Sequence, residues 1–168
     1  MKLRGLNAMS RILIIGCGNP LRSDDGLAWR AADELSRRGL PENVEIITQH
    51  QLTPELAFAV SKVDTVLFLD AAQDGEAGEI RCEPVTPLRM PSACSHEFSP
   101  SAILGLAQEL YSKVPHAFVI SLCGECFEHG ENLSKSVEQR LPYLLALVIQ
   151  MTQKYTPAET TVPELVHG

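Results

Sequence analysis

A chain of 168 residues, 45% hydrophobic and 21% charged, has the size and make-up of a single globular domain with a substantial core. Its net charge of -7 and scattered basic residues leave no stripe able to neutralise phosphates, so nucleic acid is not an expected partner. No apolar run approaches the ~20 residues of a membrane helix, and the opening MKLRGLNAMS lacks the apolar stretch of a signal peptide, so the chain reads as cytoplasmic with no membrane partner.

Residues 1–10 carry no periodicity and form a lead-in. Ile12 to Ile15 is a short β-branched run, the pattern of a buried strand. It breaks at Gly16-Cys17-Gly18-Asn19-Pro20, a tight turn, and reaches two adjacent carboxylates, Asp24 and Asp25. Leu27, Ala28, Ala31, Ala32 and Leu35 then recur at helical spacing, and Gly39 and Pro41 end that helix. Val44 to Thr48 is a second strand. Thr53-Pro54 reads as the cap and first residue of a short helix. Val63 to Leu69 is a third strand, apolar enough to be buried on both faces, and it ends at Asp70.

The glycines around residues 75 and 78 mark a hairpin-like turn, so Glu79 to Val85 is the antiparallel edge-strand candidate. Prolines at 84, 87 and 91 keep the loop at 86–98 extended, and it ends on His96. Ser99-Pro100 opens an amphipathic helix, Ala117 to Leu122 is a fifth strand, and a last helix starts near Asn132 or Ser134 with a kink expected at Pro142. Strands alternating with helices predict a three-layer α/β/α architecture over residues 1–155. The polar, proline-bearing 156–168 reads as a disordered tail.

A glycine turn after a first strand invites a dinucleotide reading. The G-x-G-x-x-G pattern, however, has Leu21 at its last position, and Asp24 and Asp25 at the helix mouth would repel a pyrophosphate. Five cysteines with no secretion signal argue for reduced thiols. Cys123-x-x-Cys126 with Cys94-x-His96 could compose a zinc site, but the second half lacks the matching spacing, and free apolar cysteines are the preferred reading. If the first and third strands are neighbours, Asp25 and Asp70 converge at one sheet edge, which the loop carrying His96 can reach. Two carboxylates and an imidazole there make a competent divalent-metal site. Taken singly, Asp70 could cap a turn and His96 could be a surface histidine.

GNPLRSDDG resembles the GNxLxxDDG opening of the NiFe-hydrogenase maturation endopeptidases, and Val66-Leu67-Phe68-Leu69-Asp70-Ala71 and Ser95-His96-Glu97-Phe98-Ser99-Pro100 resemble two later blocks of that family, in the same order. Ser23 and Ala28 depart from it, standing where members often have glycine. The resemblance implies a five-stranded, mostly parallel mixed sheet with one antiparallel strand, of the phosphorylase/hydrolase-like kind. It also implies removal of a C-terminal extension from the hydrogenase large-subunit precursor after nickel insertion, by an enzyme classed as aspartic-type. Asp25, Asp70 and His96 match the family's metal-binding positions, so they would recognise nickel carried by the substrate, with no organic cofactor. Asp24 and Asp25, neighbours in sequence, do not resemble two aspartates from separate lobes sharing a proton.

Gly16, Gly18, Asn19 and Asp24 are assigned to the substrate cleft, where glycine lets a partner's backbone approach. The competing readings are a plain tight turn for the glycines and a helix cap for Asp24. A non-cleaving, chaperone-like module that binds nickel or precursor on the same fold is the alternative function, and a nucleotide-binding α/β protein is the third.

Overall fold

A computed structural model describes residues 9–89 and 98–156. The elements run β1 (Ile12–Cys17), α1 (Leu27–Arg38), β2 (Val44–Gln49), α2 (Leu56–Val60), β3 (Thr65–Ala72), β4 (Ile80–Pro84), α3 (Pro100–Tyr111), β5 (His116–Cys123) and α4 (Lys135–Tyr155). A short 3-10 turn, Ser23–Gly26, lies between β1 and α1. The strands form one five-stranded sheet in the order β2-β1-β3-β5-β4. All pairs are parallel except β4 with β5. This is the mixed sheet the resemblance implies, with the fourth strand reversed, and β1 lies beside β3, the condition for Asp25 and Asp70 to converge.

Side chains alternate across a strand, so each strand feeds two cores. Ile14, Leu67, Leu69, Ile120 and Leu122 point to one face and pack with Leu27, Ala31 and Leu35 of α1 and Val137, Leu144 and Val148 of α4. Leu13, Ile15, Val66 and Phe68 point to the other and pack with Leu56 and Val60 of α2 and Ile103, Leu104 and Ala107 of α3. Two helices therefore cover each face, giving three layers.

Two local expectations need correction. The third strand does not stop at Leu69: β3 continues through Asp70 to Ala72, because β5 pairs with it as far as Cys123. Thr53 and Pro54 precede α2; their carbonyls accept from the Leu56 and Ala57 N–H groups in a turn that leads into it. Helix α4 runs unbroken through Pro142, which lies on the exposed side, where solvent can reach the carbonyl that proline leaves unpaired. Ser99 does cap α3, its hydroxyl accepting from the Ala102 N–H at 3.2 Å, with Pro100 as the first helical residue. No helix among the described residues is long and apolar enough to cross a membrane.

Candidate active site

The turn after β1 is built to present Asp25. Gly18 takes φ +142°, and a Cβ there would lie 2.0 Å from the Asp25 carbonyl oxygen, so only glycine lets the two segments close. The Asn19 N–H donates to Asp25 Oδ2 at 2.9 Å, while Asn19 Oδ1 accepts from the Leu21 N–H at 2.9 Å. Trp29, in the first turn of α1, donates its indole N–H to the Gly18 carbonyl at 2.8 Å. Gly16 serves packing: a Cβ there would sit 3.1 Å from Ala28 Cβ, so its absence lets α1 lie close on β1.

Asp24 faces the other way. It is fully buried, and its carboxylate accepts from the N–H groups of Glu125 (2.8 Å), Cys126 (2.9 Å) and Ser134 (2.6 Å) and from the Ser134 hydroxyl (2.8 Å). Burial pushes this carboxyl up, but the hydrogen bonds from Cys126, Ser134 and Glu125 outweigh burial and hold it below its usual range. Asp24 is thus a tie between the β1 turn, the loop after β5 and the start of α4. Neighbouring Ser23 is strained, at φ 49°, and is pinned by its N–H to the Gly130 carbonyl (2.7 Å) and its hydroxyl to the Glu128 carbonyl (3.0 Å). That left-handed backbone gives a physical reason why glycine suits position 23.

A cleft of about 760 Å³ opens at the carboxyl ends of the central strands. Cys17, Asp25, Asp70 and Ser121 line its middle. Gly16 pairs with Leu69 across β1 and β3, so Cys17 and Asp70 each follow at the same sheet edge. The tip of Asp70 is open to solvent, while the cleft walls desolvate its surroundings. That burial pushes its carboxyl from 3.8 up to about 6, against a hydrogen bond from the Ala71 N–H (2.9 Å) and aided by the charge of Asp25. Burial and the charges of Asp70 and Asp25 push the Cys17 thiol from 9.0 up to about 11, so it stays protonated at neutral pH and is not poised as a thiolate nucleophile.

The structure therefore brings Asp25 and Asp70 to one cleft. His96 lies outside the described residues, as does Cys94; Phe98 and Ser99, next along the chain, line the cleft. Of the residues assigned to the cleft from sequence, Gly16, Gly18, Asn19 and Asp24 are not among those lining it: the first three shape and close the turn, and Asp24 is turned away by its partners in the 125–134 segment. The Cys123 thiol is buried and donates to the Asp74 carbonyl at 3.1 Å. Among the described residues, no group of three or more His, Cys, Asp or Glu side chains is placed to hold a metal ion.

Sequence reasoning passed over His50, which lines the cleft just beyond the end of β2. It also passed over Arg81, held between Asp74 (3.1 Å) and Glu79 (2.8 Å) at the opposite wall. The available signal was position: His50 follows a parallel strand at its carboxyl end, as Asp70 lies near the carboxyl end of β3.

No family model matches the chain. A curated protein of Methanocaldococcus jannaschii named as a hydrogenase maturation protease is 26% identical over 144 residues, covering 80% of this chain and 94% of that one. Among solved structures, the hydrogenase maturating endopeptidase HybD of Escherichia coli superposes with a TM-score of 0.68 at 24% identity, covering 86% of this chain and 93% of that chain. The NiFe-hydrogenase maturation protease HycI of Thermococcus kodakarensis gives 0.67 at 23% identity, covering 88% and 95%. At such identities the solved structures speak for the fold, and the curated protein carries the likeness in sequence. Over most of its length this chain is similar in sequence to a curated hydrogenase maturation protease, and it shares the fold of solved ones.

Proposed function

We propose that this protein is a cytoplasmic endopeptidase that removes the C-terminal extension of a NiFe-hydrogenase large-subunit precursor once nickel has been inserted. The observation that carries the reading is the convergence of Asp25 and Asp70 on one cleft at the carboxyl ends of β1 and β3. The names of the relatives supply the reaction class and the kind of partner. In this reading the nickel arrives with the substrate. Asp25, Asp70 and His96 meet it and so fix the scissile peptide beside two carboxylates, a proximity effect. One carboxylate takes a proton from a water whose oxygen adds to the peptide carbonyl carbon, polarised by the nickel. The C–N bond then breaks and the departing nitrogen takes up a proton, leaving a new carboxylate on the large subunit.

The test is intact-mass analysis of nickel-loaded and nickel-free precursor after incubation with wild type, Asp25→Asn, Asp70→Asn and His96→Ala. The expected result is loss of a defined C-terminal peptide only from the nickel-loaded form, and at least a hundredfold slower in each variant. Binding of precursor with no mass change in wild type would instead mark a chaperone-like module. Cleavage surviving all three substitutions would place the chemistry elsewhere.

A further inference from the structure

We propose that His50 is a substrate-contacting residue of this cleft, hydrogen-bonding the main chain of an extended precursor segment on the β2 side of Asp25 and Asp70, with Trp29 as its positioning residue. The inference rests on the peptidase reading above. The strand order β2-β1-β3 puts the end of β2 beside the end of β1, and Cys17 is in register with Gln49, so His50 is the first residue past that pair. The Cys17 thiol donates to the His50 carbonyl at 3.7 Å, a long sulfur bond that ties this wall to the middle of the cleft.

The His50 ring packs on Trp29, centroids 5.4 Å apart and tilted by 50°. Trp29 is itself bound to the Gly18 carbonyl, in the turn that presents Asp25. One scaffold therefore aims both side chains. The imidazole is exposed to the cleft, and its nitrogens make no hydrogen bond with any described residue. Together with Asp25 and Asp70 it does not form a group placed to hold a metal. For an aimed ring with no hydrogen-bond partner among the described residues, a polypeptide main chain is a fitting ligand. A neutral imidazole donates at one nitrogen and accepts at the other, which matches the N–H and C=O of an extended chain. Leu52 on the same wall offers apolar contact to that segment's side chains.

The experiment is steady-state cleavage of nickel-loaded precursor by wild type, His50→Phe, His50→Gln and Trp29→Leu. Phenylalanine keeps the stacking on Trp29 and removes both ring nitrogens. The expected result for His50→Phe is a KM raised about tenfold with kcat within about twofold, the signature of a lost binding contact. Glutamine recovers part of the loss, and Trp29→Leu raises KM with His50 present. Affinity for the same precursor, measured in an Asp25→Asn background where cleavage is slowed at least a hundredfold, weakens by the same factor on adding His50→Phe. Cleavage by wild type with an unchanged KM in His50→Phe would overturn this inference alone. A fall in kcat at constant KM would overturn it too, by assigning His50 to the chemical step. Absence of cleavage by wild type would overturn the peptidase reading and this inference with it.

Discussion

Asp24 and Asp70 respond to acid in opposite directions, and the sign follows from what surrounds each carboxyl. The folded protein holds Asp24 below its ordinary range, so the folded state binds that proton more weakly than the unfolded chain. Its contribution to stability is complete above the unfolded value near 4 and is lost as pH falls through the depressed folded value. Asp70 is raised to about 6, so between about pH 4 and 6 the folded state binds its proton more tightly, and stability rises as pH falls through that window. Urea midpoints of the metal-free protein from pH 3 to 8 check both. Asp70→Asn is expected to flatten the slope between pH 4 and 6, and Asp24→Asn the steep loss below pH 4. Asp24→Ala leaves three N–H groups and the Ser134 hydroxyl without their acceptor and is expected to cost about 1 to 3 kcal/mol at neutral pH. An Asp24→Ala protein as stable as wild type would show that the loop after β5 finds other partners. The sequence made both carboxylates visible but not their division of labour. The partners of Asp24 are 101 to 110 residues away, and no local pattern encodes a contact at that separation.

At the scale of elements, periodicity was a sufficient guide wherever a segment buries one face or two. The strands were legible as short apolar or partly alternating runs bounded by turn residues, and the three long helices by apolar positions recurring with period 3.6. What was not legible depends on neighbours: β3 runs past Asp70 because β5 is there to pair with it, and α4 passes Pro142 because that side faces solvent. The β1–α1 contact turns such a neighbour effect into a measurement. Gly16→Ala would put a methyl 3.1 Å from Ala28 Cβ and 3.2 Å from the Ala28 carbonyl oxygen, crowding the helix against the strand at an expected cost of about 1 to 3 kcal/mol. Ala28→Gly alone costs up to about 1 kcal/mol as a glycine in the first turn of α1. Together, the second change removes one of the two clashes, so the double variant is expected to be more stable than the sum of the singles by about 1 kcal/mol. Additive losses in denaturation would mean that α1 simply shifts away from the sheet.

For the whole molecule, the question is whether a mostly parallel sheet that opens with a glycine turn would take a nucleotide. The frame is that of dinucleotide-binding proteins: a central strand, a turn at the carboxyl edge, then a helix. Charge separates the two. Phosphate sites use the bare N–H groups of a helix mouth, but here the 3-10 turn sets Asp24 and Asp25 directly ahead of α1. The cleft beyond carries Asp25, Asp70, Asp74 and Glu83, and among the described residues the one arginine lining it, Arg81, is already held by Asp74 and Glu79. The chain as a whole has a net charge of -7. An anionic ligand would meet repulsion at every range, whereas a cationic metal borne by a precursor would be drawn to the carboxylates. ATP or NAD at millimolar concentration is therefore expected to leave the unfolding temperature unchanged. A ligand present at a hundredfold excess over its Kd would add about 2.7 kcal/mol of stability, equivalent to several degrees in a chain of this size. A rise of that size with either nucleotide would mean that the frame, and not the charge placed on it, chooses the ligand.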